Sequence, residues 1–89
     1  MLDENEVKAR LESENIPNVD HYVVTTGPDH VHREAAFIYV IIPDAIAELE
    51  DFSPYTREIR QRIFGVFRQE FPGYFPYISF QSVSETAAL

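Results

Sequence analysis

Residues Ala35-Ala-Phe-Ile-Tyr-Val-Ile-Ile42 are apolar at every position and closed by Pro43-Asp44. A strand at a sheet edge, or one with a wet face, carries polar residues at every second position, and this run carries none. It therefore reads as a central strand covered on both faces. Towards the N-terminus, His21-Tyr-Val-Val-Thr-Thr26 is rich in β-branched and aromatic residues and ends at the turn signal Gly27-Pro28. The two strands form a hairpin across the polar stretch 29–34.

Towards the C-terminus, Ser53-Pro54 starts the main helix, with Ser at the N-cap and Pro at the first helical position. Tyr55, Ile59, Ile63, Val66 and Phe67 make one apolar stripe at i+3 and i+4 spacing, while Arg57, Arg60, Gln61 and Arg68 fall on other faces. The helix spans 54–70 and stops before Pro72-Gly73. Pro76-Tyr-Ile-Ser-Phe-Gln-Ser-Val83 alternates over its middle, as a half-exposed edge strand does, and 84–89 reads as a frayed tail. At the other end, Asp3 and Glu6 resemble a capping box opening a helix over 3–14. Asn15 and Pro17 end it. Asp44 caps a short helical turn running to Leu49.

The element order is αββαβ, an α+β two-layer sandwich in a single domain over 1–89. A strand, a crossover helix and a second strand prefer to be parallel neighbours, which gives a three-stranded mixed sheet in the order 1-2-3 with the helices on one face. The other face has no helix to cover it. It presents His21, Val23 and Thr25, then a row such as Phe37, Tyr39 and Ile41, then Tyr77, Ser79 and Gln81. A one-residue slip in the central strand exchanges its two rows, so its parity is open. An uncovered apolar face of this kind marks an interface, which predicts a protein partner, a homodimer, or both.

The chain has 89 residues, no Cys, 45% hydrophobic and 13% aromatic content, and a formal charge of -8. That is one core's worth of chain, without disulfides. No charged-then-apolar leader and no apolar run near membrane-spanning length is present, so a cytoplasmic location without membrane insertion is expected. The acidic balance argues against nonspecific binding to DNA or anionic lipid. Its distribution is uneven. Twelve acidic against three basic residues give -9 over 1–51, whereas 52–89 carries four arginines against three glutamates, or +1.

Candidate chemistry is sparse. Nucleophile motifs, H-E-x-x-H and Gly-rich phosphate loops are absent, so an enzyme is not expected and no cofactor is called for. Pairs such as Glu48 with Asp51 read as solvated helix neighbours. Asp29-His-Val-His-Arg-Glu34 holds His30 and His32, which project to one side in extended conformation, and His21 lies on the neighbouring strand. These three make a small metal site one reading. Arg57, Arg60 and Arg68 with exposed Tyr39 and Tyr77 would suit RNA. The element order resembles that of small KH-like and BolA-like modules, which would imply RNA binding, although no G-x-x-G is present and no residue is carried over. Tyr74, in the aromatic loop Phe71-Pro-Gly-Tyr-Phe-Pro-Tyr77, reads as an exposed partner anchor, with Phe71 and Phe75 closing the core. The leading expectation is a non-enzymatic protein-interaction module, the regulatory or neutralising member of a two-protein system. Its contact residues are Phe37, Tyr39, Ile41, Tyr77 and Tyr74.

Overall fold

A computed structural model describes residues 2–87. The elements are α1 (Glu4–Ser13), β1 (His21–Pro28), β2 (Glu34–Ile42), α2 (Asp44–Ala47), α3 (Ser53–Glu70), β3 (Pro76–Ser82) and α4 (Val83–Ala87). They make an α+β fold with a three-stranded mixed sheet ordered β1-β2-β3. β1 and β2 are antiparallel, and β2 and β3 are parallel. β2 is central, as its unbroken apolar run requires.

Register fixes the parity of β2. Tyr22 faces Val40 and Val24 faces Ile38 across the hairpin, while Ile38 and Val40 face Ile78 and Phe80 of β3. These side chains join Val7 and Leu11 of α1 and Ile59, Ile63, Val66 and Phe67 of α3 in the core. The opposite parity puts Phe37, Tyr39 and Ile41 on the open face, between His21, Val23 and Thr25 on one side and Tyr77, Ser79 and Gln81 on the other. Deleting a fully buried core side chain here, Ile63 for example, costs about 2–5 kcal/mol by the usual cavity penalty.

The helix starts differ from expectation in an instructive way. Asp3 caps α1 by accepting the Asn5 N–H at 2.8 Å, and Asn15 ends that helix at a φ of 56°. The main helix already includes Ser53, so Ser53 is not its cap; Asp51 Oδ1 accepts the Ser53 N–H at 3.0 Å instead. Asp44 does not cap α2 either. Its carboxylate reaches the start of α4, taking the Ser84 N–H at 3.0 Å and the Ser84 hydroxyl.

The segment read as a tail begins with helix α4, and its last two residues lie outside the described ones. Ser82 and Glu85 form a reciprocal capping box: the Glu85 N–H donates to Ser82 Oγ, and Glu85 Oε1 accepts the Ser82 N–H, both at 3.1 Å. α4 lies against β2 and β3, and the Thr86 hydroxyl donates to Gln81 Oε1 on the open face at 3.3 Å. α4 therefore covers one end of that face. Ile41, at this end, is only 1% exposed.

Candidate functional site

The centre of the open face remains uncovered. Its exposed positions are His21, Val23, Thr25, Tyr39 and Ser79, with Phe37 and Tyr77 half-buried beside them. None of these residues is a carboxylate, Lys or Arg, in a chain whose residues are 25% charged. Tyr39 is 36% exposed. Phe37 and Tyr77 stack with centroids 5.3 Å apart, and Phe75 meets Tyr77 edge-on at 4.8 Å. Phe64 of α3 meets Phe75 edge-on at 5.6 Å. An aromatic relay thus runs from the helix layer, around the β3 edge, onto the open face.

The roles of two loop aromatics are exchanged relative to the sequence reading. Tyr74 packs against the core alongside Phe71. Phe75 is 52% exposed and is not a core residue. The missed signal was parity: Phe75 lies two residues before Tyr77 in the strand direction and so shares its side of the sheet.

The relay is held by a structured hairpin loop. Asp29 Oδ1 accepts the Val31 and Arg33 N–H groups at 2.9 and 3.0 Å, and Oδ2 accepts the Tyr77 hydroxyl at 3.0 Å. The Arg33 N–H foremost, with that of Val31 and the tyrosine hydroxyl, holds the Asp29 carboxyl below its ordinary range, and the hydrogen bond to Asp29, with partial burial, pushes the Tyr77 phenol up. Asp29, Arg33, Glu34, Tyr74, Phe75 and Tyr77 surround an open groove of about 470 Å³ between this loop and the α3–β3 connection.

The three histidines are not brought together. His21 opens β1 and bonds Asp20 Oδ2 at 2.6 Å, whereas His30 and His32 belong to the loop beyond the other end of the same eight-residue strand. That is a separation of roughly 20 Å or more along an extended chain. Among the described residues no three metal-ligating side chains are grouped. His32 takes a φ of 64°, a turn conformation that supports the Asp29 loop.

The arginines and Tyr39 fall on opposite sides of the sheet. Arg60 lies over the ring of Phe80, a helix-side residue of β3, with its guanidinium carbon 5.2 Å from the ring centre. Arg57 and Arg68, on the same helix, are exposed. Arg62 and Arg10, by contrast, are engaged with Glu14 and Glu70 where α1 meets α3.

The chain matches no protein-family model, and no similar sequence is found among curated proteins. Among the described residues no helix is long and apolar enough to cross a membrane.

Proposed function

We propose that the protein is a non-enzymatic interaction module that binds another protein through the centre of its open sheet face, as the regulatory or neutralising member of a two-protein system. One observation carries this reading: an uncharged sheet face bearing exposed Val23 and Tyr39 beside the Phe37–Tyr77 stack, within a strongly acidic chain. Aromatic side chains held in place by their neighbours supply large contact area at low entropic cost, and charge is depleted at the centres of interfaces. The net charge of -8 favours a partner of opposite overall sign.

Affinity capture of the tagged protein from its native source, read by mass spectrometry, tests this. The expected result is one stoichiometric companion that disappears with Tyr39→Glu, a change at an exposed position that leaves the circular dichroism spectrum intact. Recovery of the protein alone would sink the reading. Recovery only with further copies of itself would replace the hetero-complex by a homodimer on the same face.

A further inference from the structure

The β3 edge carries a second and independent docking feature. Ala36 N–H donates to the Phe75 carbonyl at 3.2 Å. In a parallel ladder this alternation turns the odd residues of β3 towards β2 and the even ones outward. Of the outward positions, Pro76 has no N–H, and the Ser82 N–H is taken by Glu85. The backbone of Ile78 and Phe80 is left facing away from the sheet between these two closed ends. Both side chains are only partly buried, whereas Ile38 and Val40, their neighbours on β2, are sealed. The strand holds no charged residue and, after Pro76, none of the devices that usually protect an edge.

Alongside this edge runs one stripe of α3. Arg60, Phe64 and Arg68 follow one another at i, i+4 and i+8. Arg60 lies over Phe80 and Phe64 touches Phe75. Arg68 joins Phe64, Phe71, Tyr74, Phe75 and Pro76 around a groove of about 300 Å³. Among the described residues neither Arg60 nor Arg68 takes part in an ion pair. Successive positions of the stripe are spaced by about 6 Å, four residues of helix rise. Alternate side chains of an extended strand are spaced by about 6.6 Å. The two repeats match.

We propose that the β3 edge takes up an extended segment of a partner protein with the pattern acid–x–apolar–x–acid, added as a fourth strand. Its two carboxylates meet Arg60 and Arg68, its apolar residue packs against Phe64 and Phe75, and its backbone pairs with Ile78 and Phe80. Main-chain pairing supplies the affinity and the alternate side chains the selectivity. The planar guanidinium groups suit carboxylates in a bidentate manner, which lysine does not.

The probe is an end-blocked, fluorescein-labelled peptide of sequence Thr-Glu-Thr-Val-Thr-Glu-Thr, with binding followed by anisotropy. Replacing both glutamates by glutamine, or combining Arg60→Gln with Arg68→Gln, is expected to weaken binding about tenfold or more. N-methylation walked along the peptide weakens it at every second position, the signature of strand pairing. Tyr39→Glu leaves it unchanged, so loss of this site and loss of the open-face reading are told apart. Absence of binding, equal binding of the glutamine peptide, indifference to the arginine changes, or a flat N-methylation profile would each overturn the proposal. So would a dimer of the protein alone that the arginine changes disperse, since the occupant would then be a second copy.

Discussion

Tyr22 carries the one buried side-chain polar atom without a hydrogen-bond partner among the described residues, its hydroxyl. Burial pushes its phenol up to about 12, against an ordinary value near 10. The unfolded chain thus ionises this group first, and stability falls as the pH rises through 10 to 12, by up to about 1.4 kcal/mol per pH unit. Tyr22→Phe removes both the unpaired hydroxyl and that alkaline loss. It is expected to stabilise the protein by roughly 1 kcal/mol at neutral pH in urea denaturation and to flatten the alkaline limb of stability against pH. The carboxylates behave oppositely. Asp29, Asp44 and Asp51 are held below their ordinary range by hydrogen bonds to backbone or hydroxyl groups. Their contribution is present above the ordinary carboxylate range and is lost as the pH falls through their lowered values.

At the scale of elements, α4 and the open face share one fate. Ser82→Ala removes one arm of the capping box and costs about 1 kcal/mol. Amide hydrogen exchange is expected to show faster exchange throughout α4 and at Ile41, with α1 and α3 unaffected. Slow exchange in α4 would show that the Asp44 contacts alone suffice to hold it. α4 was legible in Ser82-Val-Ser-Glu85, a capping-box spacing, yet the preceding strand pattern ran through Val83 and concealed it. β2, α3 and the strand order were legible because an unbroken apolar run and a single apolar stripe each have one stable placement. The parity of β2 was not, since both of its rows are apolar and only contacts distant in sequence choose between them. The site divided likewise. That Phe37 and Tyr39 share one row follows from strand alternation, while the side of the sheet they occupy depends on contacts distant in sequence, and Asp29's grip on Tyr77 joins residues 48 positions apart and has no local signature.

For the molecule as a whole, charge sets the background. A net charge of -8, concentrated in the N-terminal portion of the sequence, makes the folded state repel itself, and the solvent-screened ion pairs at the α1–α3 contact contribute little against it. Repulsion outweighs them, so the urea midpoint is expected to rise as salt is raised from a few millimolar to about 0.15 M, where screening is nearly complete beyond roughly 8 Å. A falling midpoint would mean that the ion pairs dominate. The same hairpin-then-crossover topology orders events in time. β1 reaches β2 across a short loop, whereas β3 must wait for α2 and α3 to form and cross over. Until it arrives, the most apolar strand of the protein shows a bare edge to every other copy in solution. Refolding yield should therefore depend on concentration more steeply than native solubility does, because the hazard lies in an interval of the folding reaction and vanishes once β3 has docked.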